Sequence, residues 1–416
     1  MPFKKTEHID LSIYVALGDS ITSGYTDGAL FYEGQLHSFS SLLAEQFKLV
    51  GGSDFKQPLM KPNSVGVGFY GNSRIVLKEE DSSEIPSYIA PQGDLSVFSE
   101  NIFESEGPFN NLSAPSAKLI SMVIPGIGNP QNGTGNYNPF FTRMASNPLI
   151  ASILSDALAL HPTFFTLFIG NNDVLTYASS GGTMDGITPI DGDVGIGFNK
   201  SLESVVNALT KQGAEGAIAN LADITAVPYF TVIPYDGLIL NQFQADQLTI
   251  KYKEVGLQFY EGRNAFVIND STTGRQKIRQ IEKGELLILE IQLDPHKDEY
   301  LTAGIPIPKK YMLTHTEIAN VQRAIASYNE EIERIATDKK IAFVDVYSFT
   351  KTFKAEITYD EFARYAKYNG NSVFSLDGLH LNSFGQAFLA NIFIKAINKK
   401  YVCEIPLLII SNYKGI

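Results

Sequence analysis

Three short apolar runs set the strongest limit on what this chain can fold into. They are residues 11–17 (LSIYVAL), 164–169 (FFTLFI) and 341–346 (IAFVDV). Each is rich in β-branched or aromatic residues and each ends in turn chemistry, the pattern of a strand buried on both faces. A fourth candidate, residues 230–233, ends at Pro234. Helical periodicity fills the intervals. Residues 38–47 (SFSSLLAEQF) follow the first run, and residues 147–160 carry Ile150, Ile153, Leu154, Ala157 and Leu158 at helical spacing. Residues 199–210 repeat the pattern, and residues 317–337 show it most clearly, through Ile318, Val321, Ile325, Tyr328, Ile332 and Ile335. Thr314 and Glu317 precede that helix with the spacing of a capping box. A last helix is expected over 383–398, with Phe384, Phe388, Ile392 and Ala396 on one face. Strands alternating with helices predict an α/β fold: a three-layer α/β/α sandwich around a mostly parallel sheet.

Two long stretches break this rhythm, residues 51–110 and 235–313. Structureless loops of that length are uncommon in a compact domain. They read as insertions with some structure of their own, at 74–78, 265–268 and 286–291, covering one end of the sheet. The 416 residues are thus expected to form a single domain, 1–416. The formal net charge of −12 argues against a nucleic-acid partner, which requires basic surface. One cysteine, Cys403, excludes an intrachain disulfide framework and a cysteine-clustered zinc site. No apolar run approaches the roughly 20 residues of a transmembrane helix. The first residues are basic without a following apolar segment, so no signal peptide is expected in this chain.

Three blocks carry chemistry. The first strand runs into Gly18-Asp19-Ser20, which sets a serine at the carboxyl end of a sheet strand, where open α/β sheets bind their ligands. Asp377 and His380 stand three apart just before the last helix. A serine hydroxyl needs a base to take its proton, and the base needs an acid to fix its tautomer. His8, His37, His161, His296 and His315 have no comparable Asp-x-x-His setting. The third block, Gly170-Asn171-Asn172-Asp173, ends another strand, where an asparagine amide can face a developing oxyanion.

The order Ser20, Asn172, Asp377-x-x-His380 resembles the SGNH, or GDSL-type, serine hydrolases, in their long bacterial form with insertions. The resemblance implies the SGNH-hydrolase-like, flavodoxin-like version of the sandwich and cleavage of carboxylic esters through an acyl-enzyme. It assigns Ser20 as nucleophile, His380 as base and Asp377 as its partner, with no metal or organic cofactor. The oxyanion hole would combine the Ser20 amide, the Asn172 side chain and a backbone amide from a second block. That block is best matched by residues 111–117, with Ser116 where the family usually has glycine; Gly126 or Gly128 is the alternative donor. Expected partners are small-molecule, glycan or lipid esters. Sugar O-acetyl esters, and a catalytically silent binding protein on the same scaffold, are the rival readings. No G-x-S-x-G elbow surrounds Ser20, which argues against an α/β-hydrolase. The family pattern suggests an exported or lipid-anchored protein whose signal has been removed, and otherwise a cytoplasmic one. Oligomeric state is open.

Weaker features remain. Asp185, Asp191 and Asp193 lie in a Gly-rich loop without calcium-loop spacing and read as solvated. Residues 179–183 form either a cleft rim or a linker, and Phe140-Phe141 either line a cleft or belong to the core.

Overall fold

The structure is a computed structural model, and it describes residues 9–80, 83–184, 186–270, 277–350 and 373–413. Its centre is a four-stranded, wholly parallel sheet of β1 (Tyr14–Gly18), β2 (Phe164–Phe168), β3 (Glu215–Ala219) and β4 (Ala342–Val344), paired in that order. Tyr14 sits opposite Phe164, Phe164 opposite Glu215, and Ala217 opposite Ala342. All five residues of β1 and of β2 are buried, which is why these strands read as continuous apolar runs rather than alternating ones.

The chain at Asn110–Leu112 adds a further position on the free side of β1. The Ala16 N–H donates to the Asn110 carbonyl at 2.9 Å, and the Leu112 N–H donates to the Ala16 carbonyl at 3.0 Å. In chain order the sheet therefore reads 2-1-3-4-5, the flavodoxin-like arrangement. The chain leaves β1 to one side and then crosses to β2 on the other, which makes the carboxyl end of β1 the switch point where a ligand crevice opens.

Helices cover both faces. Helix α1 (Phe39–Lys48) packs against α5 (Ser383–Tyr401), which lies on β3 and β4. Helix α4 (His315–Asp338) also contacts β3 and β4, and packs against α3 (Phe198–Lys211) and α2 (Asn172–Ser179). The expected cap at Thr314 is present, with the Glu317 carboxylate accepting the Thr314 N–H at 2.8 Å and its hydroxyl. Among the described residues no helix is long and apolar enough to cross a membrane.

Five details differ from the sequence reading. Strand β3 is not among the expected runs, because Gly216, Ala217 and Ala219 give it little apolar bulk. Residues 230–233 are not a strand: Pro228, preset for a first helical turn, opens a short helix, Pro228–Thr231. The helix expected over 147–160 covers only Ile153–Ala159, because the Ser152 hydroxyl caps it and leaves Ile150 outside, 69% exposed. In α5 the fully buried residues include Leu389, Phe393 and Ile397, while Phe384 and Ile392 are only partly buried. A helix buried on most of its surface shows no single apolar stripe, so the face could not be read from spacing. Within the second insertion, Leu286–Leu287 is a two-residue strand, and Leu289–Leu293 turns into a 3₁₀ helix. Other strands in the insertions form hairpins, Ile75–Glu80 with Ser83–Tyr88 and Val267–Asp270 with Lys277–Gln280.

Candidate active site

The Gly18-Asp19-Ser20 and Gly170-Asn171-Asn172-Asp173 blocks follow the carboxyl ends of the neighbouring strands β1 and β2, which the parallel register brings together, while the Asp377–His380 block comes from the turn just before α5. Gly18 is required at the end of β1 because a Cβ there would stand 2.0 Å from the Thr22 hydroxyl and 2.6 Å from the Phe168 carbonyl. The Asp19 carboxylate then caps the Ser20–Ser23 turn by accepting the Ile21 N–H at 3.0 Å. Its other oxygen accepts the Asn171 amide at 3.1 Å, tying the end of β1 to the end of β2. Burial raises the pKa of Asp19 to about 6, against those two hydrogen bonds.

Ser20 and His380 are each 4% exposed. Nε2 of His380 lies 2.9 Å from the Ser20 hydroxyl, and Nδ1 lies 2.8 Å from Oδ2 of Asp377. Oδ1 of Asp377 accepts the N–H groups of Leu379 and His380 at 2.9 and 2.8 Å. Burial pushes the Asp377 pKa up, but the His380 charge and these hydrogen bonds outweigh it and hold it well below the ordinary carboxylate range. An ionised Asp377 fixes the imidazole with its proton on Nδ1, which leaves Nε2 to accept from Ser20.

The second block is a tight turn. Ala117 N–H donates to the Ala114 carbonyl at 3.0 Å, Pro115 occupies the second position, and Ser116 the third with φ +62°. That is the third position of a type II turn, which normally takes glycine. The turn docks on β1 through the Ala114 N–H, 3.2 Å from the Gly18 carbonyl. Neither the Ser20 nor the Ser116 N–H has an acceptor among the described residues. Gly126, by contrast, spends its N–H on the Ala151 carbonyl at 2.9 Å. The Asn172 amide donates to the Ala117 carbonyl at 3.1 Å, and Asp173 accepts the Leu119 N–H at 2.7 Å. The start of α2 is thereby held against the Ser116 turn. Asp173 is wholly buried, and burial raises its pKa to about 6.

The sequence reading passed over the residues that hold Asp377. Thr26 and Ala29 exchange both backbone hydrogen bonds around Asp27-Gly28, whose φ values of +50° and +74° make a two-residue hairpin turn. At its tip the Gly28 N–H donates to Oδ2 of Asp377 at 2.8 Å, and the Asp27 N–H donates to the Ser375 hydroxyl at 3.0 Å. Oδ1 of Asp27 accepts the Leu376 N–H at 2.9 Å. Burial raises the Asp27 pKa to about 7 despite that bond. The Asp-Gly dipeptide was the available signal, since it is a strong hairpin-turn mark.

Two cavities flank His380. The smaller, about 60 Å³, is apolar and reaches Ser20, Asn172, Ile224, Val227 and Leu389. The larger, about 170 Å³, is lined by Phe69, Tyr70 and Tyr88 from the first insertion and by Leu289 and Glu290 from the second. Both insertions thus reach the same end of the sheet. Ser179 lies on this rim, and the buried Lys309 ammonium holds the loop beyond it through the Gly181 carbonyl at 2.6 Å and Glu317 at 3.2 Å. Phe140 lies behind the wall, edge-on to Phe69, and Phe141 is core. Of the acidic loop, Asp191 accepts from Asn199 and Asp193 pairs with Lys200, each at 3.0 Å, while Asp185 lies outside the described residues.

Comparison with known proteins identifies the family of the chain. A sequence profile of the GDSL-like lipase/acylhydrolase family matches residues 14–393. No curated protein matches the chain. Similar solved structures include a putative GDSL-like lipase from Parabacteroides merdae, at 12% identity over 95% of this chain and 99% of the other, with a TM-score of 0.34. An acetyl xylan esterase aligns at 14% identity over 92% of this chain and 100% of the other, with a TM-score of 0.33. An extracellular lipase from Streptomyces rimosus aligns at 11% identity over 92% and 99%, with a TM-score of 0.35. With a profile match that runs from β1 into the last helix, the chain belongs to the GDSL-like lipase/acylhydrolase family, hydrolases that act on esters.

Proposed function

We propose that the protein cleaves carboxylic esters by forming an acyl-enzyme on Ser20. The observation that carries this reading is the unbroken line of hydrogen bonds from the Ser20 hydroxyl through His380 to Asp377. Ser20 Oγ attacks the ester carbonyl while its proton passes to Nε2 of His380. The imidazolium so formed faces the ionised Asp377. The tetrahedral oxyanion is held by the Ser20 and Ser116 amides and by the Asn172 side chain, donors that cost no reorganisation during reaction. As the C–O bond breaks, His380 returns the proton to the leaving alcohol. Water then attacks the acyl-enzyme with His380 again as base, releasing the acid and restoring Ser20.

The free Ser116 amide and the occupied Gly126 amide favour Ser116 over Gly126 as the second backbone donor. The strained φ of Ser116 supports the same choice, since the turn keeps the backbone path that glycine provides in the family.

The test is hydrolysis of p-nitrophenyl acetate by the wild-type chain and by folded Ser20→Ala and Asp377→Asn variants. Ser20→Ala should lose at least about a thousandfold in turnover. A folded Ser20→Ala variant that keeps more than roughly a tenth of the activity would remove Ser20 from the reaction.

A further inference from the structure

The larger cavity has a chemical character that ester cleavage alone does not require. Tyr25, Phe69, Tyr88 and Tyr229 line it, together with Tyr70, which is 85% exposed, and with the carboxylates of Glu290 and Asp377. Three separate parts of the chain supply these rings: the turn after Ser20, the first insertion, and the short helix Pro228–Thr231. The aromatic wall reaches the reacting groups, since the Tyr25 ring lies 4.7 Å from Phe69 on one side and 4.6 Å from the His380 ring on the other.

Glu290 is half-buried and, among the described residues, accepts one hydrogen bond, from the Tyr229 hydroxyl at 3.2 Å. Among the described residues no lysine, arginine or histidine pairs with it, and His380 is the one basic side chain lining the cavity. Burial, and after it the Glu290 charge, raises the phenol pKa of Tyr88 and of Tyr229. The Glu290 charge therefore acts on phenols from two separate segments, the first insertion and the Pro228–Thr231 helix.

We propose that this cavity receives a compact ammonium cation carried by the ester substrate, with Glu290 as its counter-charge and the tyrosine faces as its walls. The inference rests on the ester-hydrolase reading and names the substrate class of that same site. A cation over aromatic faces gains from each ring quadrupole, and more when water is excluded. It also compensates Glu290, whose attraction strengthens as the cavity dries. A purely apolar chain would strip water from the carboxylate without compensating its charge. The ammonium group can belong to the alcohol, as in a choline ester, or to the acid, as in a betaine ester.

Matched pairs separate the charge from the shape. Acetylcholine is compared with 3,3-dimethylbutyl acetate, and betaine ethyl ester with ethyl 3,3-dimethylbutanoate. The ratio of kcat/KM within each pair is measured for the wild type and for Glu290→Gln, which keeps the shape and an acceptor for Tyr229, and comparing the two ratios cancels the intrinsic reactivity of the esters. In at least one pair the cationic preference should fall by about tenfold in the variant, and that pair identifies the side bearing the cation. Tetramethylammonium should compete with the neutral ester in the wild type and compete at least about fivefold less well in Glu290→Gln. Turnover of the neutral esters with ratios unchanged by Glu290→Gln in both pairs, or no competition by tetramethylammonium, overturns the inference and leaves the hydrolase reading standing. A preference for acetylated sugars untouched by the substitution overturns it too, and assigns the cavity to a neutral polyol. If no ester is turned over and a fluorophosphonate fails to label Ser20, the hydrolase reading falls and this inference with it.

Discussion

The Gly28 N–H donates to Oδ2 of Asp377, the same oxygen that lies 2.8 Å from Nδ1 of His380. The orientation of the base is thus anchored by a hairpin tip directly after the serine block, although the two segments lie at opposite ends of the chain. Asp27 completes the clamp from the same turn by holding the Leu376 N–H.

Asp27 should therefore act as a positioning residue. Asp27→Ala releases the Leu376 N–H and should lower kcat by about 10–100-fold, the scale of a small misplacement of a reacting group. Asp27→Asn keeps a carbonyl acceptor and should recover most of that loss, with KM little changed in either. An Asp27→Ala enzyme within about twofold of wild type would show that the clamp does not set the geometry.

Ser116 and Asn172 should respond in opposite ways. Ser116→Gly keeps the turn and its amide and removes the left-handed strain, so stability should rise by about 1 kcal/mol, with activity within roughly tenfold of wild type. Asn172→Ala deletes a side-chain donor and should cost about 2.7–4 kcal/mol of transition-state stabilisation, seen mainly in kcat. Comparable severe losses in both, measured by steady-state kinetics on folded protein, would mean that the Ser116 side chain itself takes part.

Stability should depend on pH through the buried carboxyls. Asp19, Asp27 and Asp173 are raised from 3.8 to about 6, 7 and 6, each chiefly by burial. Each keeps its proton to higher pH when folded, so its contribution is full below the unfolded value and lost as pH rises through the folded one. Asp377 is lowered and acts in the other sense, its contribution being present above the unfolded value and lost as pH falls through the folded one. Thermal melts should therefore show Tm rising as pH falls from about 8 to about 5, and declining again well below pH 4. Asp27→Asn should flatten the upper part of that curve. A Tm that instead climbs steadily from about pH 5 to about pH 8 would contradict the burial of these groups.

Three of the four sheet strands and the serine and asparagine blocks at strand ends were readable because short buried strands and turn residues leave local marks, whereas β3, Glu215–Ala219, carries a glycine and two alanines and so makes no strong apolar run. The 11–17 run became β1, and the Thr314–Glu317 spacing became a cap. The Asn110–Leu112 position beside β1 was not readable, since two or three residues of edge pairing carry no periodicity. The clamp on Asp377 depends on contact between residues some 350 positions apart, which spacing cannot reveal. The cavity wall was hidden for the same reason. Tyr70, Tyr88, Tyr229 and Glu290 are scattered over two insertions and one turn, and each alone is an ordinary surface or core residue. The expected strand at 230–233 failed because an apolar run of that length fits a buried helical turn equally well, and Pro228 decided between them.

The central claim is that Ser20 is a nucleophile activated by His380. Labelling with a fluorophosphonate, followed by mass spectrometry of the digested chain, tests it most directly. The adduct should map to the peptide bearing Ser20, form in step with the loss of p-nitrophenyl ester turnover, and slow by at least about a hundredfold in a folded His380→Ala variant. Full ester turnover in a chain carrying no adduct on Ser20, or an adduct on another serine that tracks the loss of activity, would contradict it.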